Sequence, residues 1–349
     1  MEGISPVLER QRFSHLDIVN TKFLVIGGNG YFGYKLVEAL VGKGAKNVRV
    51  FDRIQTRFRG CSEVDFYVGD ICDPASVAKA IEGMDVIYHT ASCFGNPPFG
   101  SFGEGKLEWL VNVEGTRNVI NAARNEARET GSYVKLVYIG SSSAVFNGER
   151  DFLNEPEDGG YPTYFVDHYG RTKAVAEQEV CSANSEDDKL LTCVLRPNGI
   201  YGEDELIHIP RVRKYCGMFL DFFPVDFASK SDWTFIDNLS FACFLAAEKM
   251  GPSSIVNGNL YNITDGEAIS KPSSSFLLFP SFSFLSALFF GHSHCPVLWT
   301  LHCCHWRNRA LPLHHPGPPL LHCGLHHGAV LLPGRLHPPH AHAQPLHSH

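Results

Sequence analysis

The run from Phe23 to Gly33, FLVIGGNGYFG, constrains this chain more than any other, because an apolar strand passes directly into a turn with glycine at 27, 30 and 33. A strand that is apolar at every position needs cover on both sheet faces, so Phe23 to Ile26 is expected inside a parallel sheet. Beyond the turn, Tyr31, Leu36, Val37 and Leu40 follow a helical pattern. Without Cβ atoms at the turn, the backbone can approach a pyrophosphate closely. The first turn of the next helix offers it N–H groups and partial positive charge. Tight strand-to-helix turns also use glycine for packing alone, and the triplet by itself supports both readings equally. The next strand, Val48 to Phe51, shifts the balance: it ends at Asp52, about twenty residues past the last glycine, where a dinucleotide fold positions the carboxylate that binds ribose hydroxyls. Arg53 follows directly and could accommodate a 2′-phosphate, so NAD is favoured without excluding NADP.

Strand and helix patterns then alternate, as in a doubly wound α/β fold of the Rossmann type. Val64 to Val68 reads as a strand ending in Gly69-Asp70-Ile71, Pro74 to Ile81 as a helix, and Val86 to His89 as a strand followed by the small residues Thr90, Ala91 and Ser92. Small residues at a strand's carboxyl end permit close approach of a cofactor. A helix over 107–123, a strand from Lys135 to Ile139 and another from Leu191 to Leu195 continue the order. From Tyr201 to Ile269 the pattern is less regular, with an apolar helix from Asp237 to about Lys249 and a short strand at Leu260 to Ile263. The expected organisation is an arm over 1–20, a dinucleotide-binding domain over 21–200 with segments returning later, a small and incomplete substrate lobe over 201–270, and an irregular tail over 271–349.

Charge narrows the function classes. The formal net charge is −7, and every Asp, Glu and Lys lies at or before Lys271. An acidic front portion lacks the basic stripe of a nucleic-acid binder. Residues 1–20 carry Glu2, Glu9, Arg10, Arg12 and Asp17 without an apolar core, so no secretory signal is expected there. Cys61, Cys72, Cys93, Cys181, Cys193, Cys216 and Cys243 are dispersed, with neither metal spacing nor a C-x-x-C pair. They read as small core residues in a reducing compartment.

Chemistry is concentrated in two places. The strand ending at Ile139 runs into Gly140-Ser141-Ser142-Ser143-Ala144, and a later helix begins near His168-Tyr169-Gly170-Arg171-Thr172-Lys173. Tyr169 and Lys173, four apart, share a helix face, so an ammonium can favour the ionised form of a phenol whose ordinary pKa is about 10. In the expected mechanism Tyr169 removes the proton of a secondary alcohol while a hydride leaves the same carbon for nicotinamide. Ser142 or Ser143, with Ser143 preferred, hydrogen-bonds the alcohol or developing carbonyl oxygen, and Lys173 also holds the nicotinamide ribose. His168 lies off the shared face and is expected to be a flanking surface residue.

The order of glycine turn, serine cluster and Tyr-x-x-x-Lys pair resembles the extended branch of the short-chain dehydrogenase/reductases, as does the G-x-x-G-x-x-G spacing. Ile26-Gly27-Gly28-Asn29-Gly30-Tyr31-Phe32-Gly33, Gly69-Asp70-Ile71-Cys72-Asp73, the segment Asp167 to Lys173 and Leu195-Arg196-Pro197-Asn198-Gly199-Ile200-Tyr201-Gly202 together resemble the 3β-hydroxysteroid dehydrogenase family, which includes the sterol-4α-carboxylate 3-dehydrogenases. The likeness extends over about residues 21 to 270. It implies NAD-dependent oxidation of the 3β-hydroxyl of a steroid or sterol. It also implies cofactor contacts at Gly27, Gly30, Tyr31, Phe32, Gly33, Asp52, Asp70 (adenine), Ile71, Thr90, Ala91, Ser92, Lys173, Pro197 and Ile200, and a proton-relay role for Asn112. Other extended-family reductases or sugar-nucleotide epimerases share the fold and the Ser/Tyr/Lys chemistry. The resemblance allows a homodimer and an endoplasmic-reticulum or cytoplasmic location.

After Lys271 the chain changes to a tract of Phe, Leu and Ser and then to His, Pro, Leu and Cys, with Arg307, Arg309 and Arg335 its only full charges. Phe276 to Phe290 is apolar enough for membrane contact, yet falls short of the roughly twenty residues a spanning helix needs and contains Pro280. His302, Cys303, Cys304 and His305 match no structural-zinc spacing, so no resident metal is expected. A change this abrupt is expected of an atypical terminal exon, intron read-through or a frameshifted ending. It leaves two expectations open, a working dehydrogenase and a catalytically weak NAD-binding or membrane-interaction protein.

Overall fold

A computed structural model describes residues 16–58, 61–94, 105–149, 155–205, 230–266, 269–270 and 321–322. Strands β1 (Lys22–Ile26), β2 (Asn47–Asp52), β3 (Asp65–Val68), β4 (Val86–His89), β5 (Val134–Ile139), β6 (Leu190–Pro197) and β10 (Asn259–Thr264) form a parallel sheet in the order β10-β6-β5-β4-β1-β2-β3. The two-residue β12 (Leu321–His322) lies parallel to β10 at the edge. Beside this sheet, β7 (Gly199–Tyr201) pairs in parallel with β9 (Trp233–Phe235), and β8 (Lys230–Ser231) pairs antiparallel with β11 (Ile269–Ser270).

The helices are α1 (Tyr31–Gly42), α2 (Pro74–Ile81), α3 (Lys106–Trp109), α4 (Gly115–Thr130), α5 (His168–Ser182) and α6 (Ile236–Lys249). Two of these helices are capped by side chains. Asp73 caps α2 through the N–H groups of Ala75 and Ser76 with Pro74 at the first helical position, and Asp167 caps α5 by accepting from Gly170 N at 2.7 Å. No side chain caps α1, which begins after Gly30.

The apolar run of β1 is divided between two cores. Phe23 and Val25 face Leu36, Val37 and Leu40 of α1 and Leu239, Cys243 and Phe244 of α6. Leu24 and Ile26 face Val77 and Ile81 of α2, Val119 and Ala123 of α4, and Ala176 and Val180 of α5. This two-sided burial explains why Phe23 to Ile26 has no polar position. It also explains the strand order: β2 and β3 lie on one side of β1 and β4 to β6 on the other, so the chain reverses direction across the sheet between β1 and β4. Ligands of open α/β sheets bind at such a switch point, outside the carboxyl ends of the strands.

One expectation is revised. The helix expected over 107–123 extends from α3 to the end of α4, Lys106 to Thr130, with a π-helical turn at Leu110–Glu114 inside it. Within 201–270, α6 packs in the same core as α1 and β10 extends the main sheet beside β6, as segments that return to the main body. Within that range the lobe elements among the described residues are β7, β8, β9 and β11. Phe276 to Phe290 and the His302–His305 cluster lie outside the described residues.

At Gly27 the turn after β1 has no space for a side chain. Gly27 has φ +81°, and a Cβ there would lie 2.5 Å from the backbone nitrogen of Ala91. Gly44 also has a positive φ, +91°, but nothing lies within 4 Å of its Cβ position. Gly27→Ala is therefore expected to destabilise by on the order of 3 kcal/mol and Gly44→Ala by about 1 kcal/mol, since only the first adds a backbone collision to conformational strain. Urea unfolding of the two variants checks this, and equal losses would contradict it.

Candidate active site

At the switch point, Gly27 N–H donates to the Phe51 carbonyl at 2.8 Å, and Thr90 Oγ1 donates to the Ile26 carbonyl at 2.8 Å. A Cβ on Gly33 would collide with the Gly27 carbonyl oxygen and lie 2.8 Å from Thr90 Oγ1. β1, its turn, α1 and the end of β4 thus meet backbone to backbone, with Thr90 and Ala91 as the packing surface. Asp52 closes one side: its Oδ2 accepts from Asn29 N at 3.0 Å and its Oδ1 from Arg53 N at 2.7 Å. A bare, uncapped helix start beside a Cβ-free turn fits a pyrophosphate, and the adjoining carboxylate fits a ribose diol. Phe32 is in the core, leaving its first-turn amide for a ligand. The Tyr31 hydroxyl is buried with no hydrogen-bond partner.

The other expected contacts line the same edge. Asp70 Oδ1 accepts from Cys72 N at 2.9 Å, so this carboxylate also shapes the turn after β3. The Ile71 side chain is buried against Gly115, and any ligand contact there belongs to its backbone. Pro197 ends β6, and Ile200 in β7 packs against the α1/α6 core.

Tyr169 and Lys173 share a face of α5, with Lys173 Nζ 6.0 Å from the Tyr169 ring centre. Partial burial raises the phenol, while hydrogen bonds from Ser92 and Ser141 lower it. This differs from the expectation that the ammonium does the lowering. Lys173 gives its hydrogen bonds to Tyr138 and to the Ile139 carbonyl instead, and burial pulls its own pKa down to about 8. Ser143 is one step removed: its amide donates to Ser141 Oγ at 3.2 Å in the short 3-10 turn Ser142–Ala144, and its carbonyl lies against Gly170. His168 lines a cleft of about 370 Å³ with Lys106, Trp109 and Arg171.

The serine turn is anchored by a residue that sequence reasoning missed. Glu177, fully buried, accepts from Ser141 N at 3.0 Å through Oε1. Its Oε2 accepts from Arg196 Nη2 at 2.7 Å, Arg196 Nε at 3.2 Å and the Tyr161 hydroxyl at 3.3 Å. Arg196, near the end of β6, is therefore the ionic partner of Glu177. The available signal was spacing: Tyr169, Lys173 and Glu177 recur every four residues and share one helical stripe.

Asn112 lies in the π turn and is 1% exposed. Its Nδ2 donates to the Cys93 carbonyl at 2.7 Å and to Thr172 Oγ1 at 2.9 Å, and its Oδ1 accepts from Cys93 N at 2.7 Å. One amide thus fixes the segment after β4 against the Tyr169 helix. π turns are rare and frequent at functional sites, and this one re-aims Asn112 without breaking the helix.

A parallel sheet with a glycine turn at its switch point and a Tyr-x-x-x-Lys helix beside a serine turn defines the extended short-chain dehydrogenase/reductase class. The sequence matches the 3-beta hydroxysteroid dehydrogenase/isomerase family over residues 24–284, and the chain belongs to that family. It is 34% identical over 254 residues to a 3-beta-hydroxysteroid dehydrogenase of Mycolicibacterium neoaurum, aligning 71% of this chain and 67% of the relative. It is 32% identical over 269 residues to the decarboxylating sterol-4-alpha-carboxylate 3-dehydrogenase of Homo sapiens, aligning 76% of this chain and 65% of the relative. The chain thus spans about two thirds of these relatives' length. Two solved structures share the fold. A dTDP-glucose 4,6-dehydratase from Streptomyces venezuelae with NAD bound has TM-score 0.60 and 20% identity over 75% of this chain and 81% of that chain. The UDP-glucose 4-epimerase of Thermus thermophilus with NAD has TM-score 0.56 and 23% identity over 72% and 79%.

Glu177→Ala leaves the buried Arg196 guanidinium without its carboxylate and is expected to destabilise by about 3 kcal/mol or more, measured by chemical denaturation. A loss below about 1 kcal/mol would show that water or Tyr161 replaces the carboxylate. His89, fully buried at the end of β4, has its imidazole pulled down to about 3 from 6.5, mainly by burial and then by the Lys173 ammonium. As pH falls below 6.5 the unfolded chain gains a proton that the folded chain refuses until about pH 3, so stability declines through that window. His89→Gln should flatten the decline by up to about 1.4 kcal/mol per pH unit. An unchanged pH slope in that variant would exclude a neutral buried imidazole.

Proposed function

We propose that the protein binds NAD and oxidises the 3β-hydroxyl of a steroid or sterol. The observation that carries this reading is the meeting of the Tyr169 phenol, the Ser92 and Ser141 hydroxyls and Lys173 at the same sheet edge as the Gly27–Gly33 turn. The turn amides and α1 would hold the pyrophosphate, Asp52 the adenosine ribose, Asp70 the adenine edge and Lys173 the nicotinamide ribose, with Pro197 and Ile200 beside the nicotinamide. Arg53 keeps NADP within reach of the same site. The dinucleotide, when bound, supplies the hydride acceptor.

Tyr169 then takes the hydroxyl proton. Ser143 donates to the substrate oxygen, Ser141 and Ser92 orient the phenol, and Asn112 holds Thr172 and the segment after β4 so that this geometry persists. Names among the relatives support the substrate class. On a 4α-carboxysterol, oxidation at carbon three would create a β-keto acid, which can lose carbon dioxide. A location at the endoplasmic reticulum is part of this reading. Among the described residues no helix is long and apolar enough to cross a membrane, and Phe276 to Phe290 would supply any membrane contact.

A panel of 3β-hydroxysteroids and 4α-carboxysterols, assayed for NADH and NADPH formation, tests the reading, with NADH fluorescence reporting binding separately. Tyr169→Phe is expected to lower turnover by about 10²- to 10⁴-fold while NADH binding is retained. Full turnover in that variant would remove Tyr169 as the base, and NADH binding with no steroid-dependent turnover in the natural sequence would favour a nucleotide-binding role.

A further inference from the structure

Asn29 stands between the glycines of the turn after β1. Its φ is not positive, so a left-handed backbone does not explain an asparagine at this position. What distinguishes it is its side chain, which reaches across to the loop that follows β2. Asn29 Oδ1 accepts from the successive amides of Thr56 at 3.2 Å and Arg57 at 3.1 Å, and its Nδ2 donates to Thr56 Oγ1 at 3.0 Å. The backbone of the same residue holds the other end of that loop, because Asn29 N donates to Asp52 Oδ2 at 3.0 Å. One residue thus fastens both ends of the segment Arg53 to Arg57 to the glycine turn.

The loop is anchored beyond Arg57 as well. Phe58 is 2% exposed, and its ring lies 5.1 Å from that of Tyr34 of α1, centre to centre. The Arg57 guanidinium sits 4.8 Å from the centre of the same Tyr34 ring, a cation–π contact. Arg57 is therefore held through its amide by Asn29 and through its guanidinium by Tyr34. Asp52 is held too, since its second oxygen accepts from Arg53 N at 2.7 Å. A carboxylate oriented by two amides keeps lone pairs for two ribose hydroxyls and repels a phosphate in place of either. Discrimination against a 2′-phosphate then has two parts: a carboxylate that is fixed in place, and an arginine already engaged by Tyr34.

We propose that Asn29 is a specificity-determining residue whose side chain closes the loop after Asp52 in the form that takes a ribose diol, so that the site selects NAD over NADP. The proposal rests on the reading of the Gly27–Gly33 turn and Asp52 as the dinucleotide site. Removing the side chain leaves the amide of residue 29 on Asp52 but releases Thr56 and Arg57. A released loop costs the diol its fixed partner, and it lets the cations Arg53 and Arg57 move to a 2′-phosphate. The two nucleotides respond unequally, whereas a general weakening of the turn would affect both alike.

Binding and proteolysis of the full chain test this without turnover. Dissociation constants for NADH and NADPH are measured by nucleotide fluorescence in the natural sequence, Asn29→Ala and Thr56→Val. Asn29→Ala is expected to weaken NADH binding by about tenfold and NADPH binding much less, narrowing the preference for NADH by about tenfold. Thr56 is exposed and outside the glycine turn. Thr56→Val removes the Nδ2 half of the link, should narrow the preference by a smaller factor, and carries both measurements if Asn29→Ala does not fold. In the nucleotide-free chain, trypsin cleavage after Arg53 and Arg57, read by mass spectrometry, should be faster in Asn29→Ala. Asn29→Asp keeps an acceptor for both amides and should restore the natural rate. Tighter binding of NADPH than NADH by the natural sequence, a preference unchanged in both variants, or unchanged cleavage in Asn29→Ala overturns the proposal. A natural sequence that binds neither nucleotide defeats the dinucleotide reading itself, so the two failures are distinguishable.

Discussion

Burying the Glu177 carboxylate between the ends of β5 and β6 costs several kcal/mol of lost hydration, and the fold tolerates it because both oxygens are engaged. One oxygen receives the Ser141 amide, and the other receives Arg196 and Tyr161. The arrangement fixes three things at once. The residue that follows β5 must lack a side chain, since a Cβ on Gly140 would run into the Glu177 carboxylate. α5 must hold its register against β6. Ser141, held by its amide and receiving the Ser143 amide on its hydroxyl, is aimed at Tyr169. The geometry of the phenol is thus inherited from an ion pair that touches no substrate.

The Gly27–Gly33 turn shows that packing and ligand binding need not be competing explanations of glycine. Gly27 lies against the Ala91 backbone and Gly33 against Gly27 and Thr90. Those contacts draw β1, α1 and the end of β4 into close backbone approach. Asp52, tied to the turn through Asn29 N, is placed by the same compression. Packing creates the surface that a pyrophosphate would use.

Much of this was legible in the residue order. β1, α1 and α2 follow from apolar period and caps, and Tyr169 with Lys173 follows from a four-residue spacing on one helix. What escaped was long-range polar pairing. Glu177 on a charged helix reads like any solvated glutamate, and its partner Arg196 lies on a strand that sequence spacing cannot bring to it. The π turn escaped because one extra residue in a hydrogen-bond ladder leaves the apolar pattern of α3 and α4 intact. Ser141 was passed over because three consecutive serines differ only in what the turn does with them: the first caps, and its hydroxyl reaches the phenol. Which segments of 201–270 return to the main sheet was not legible, because α6 and β10 are completed by partners far earlier in the chain.

Lys173 and Tyr169 share a stripe of α5, yet each is set mainly by its own surroundings. Lys173 Nζ lies 6.0 Å from the Tyr169 ring centre and gives its hydrogen bonds to Tyr138 and to the Ile139 carbonyl. Burial raises the Tyr169 phenol, and the two serine hydroxyls offset part of that. Burial also pulls Lys173 down to about 8, while Glu177 favours its charge. The stripe Tyr169, Lys173 and Glu177 thus brings together three ionisable groups whose proton affinities follow from burial first and from polar neighbours second.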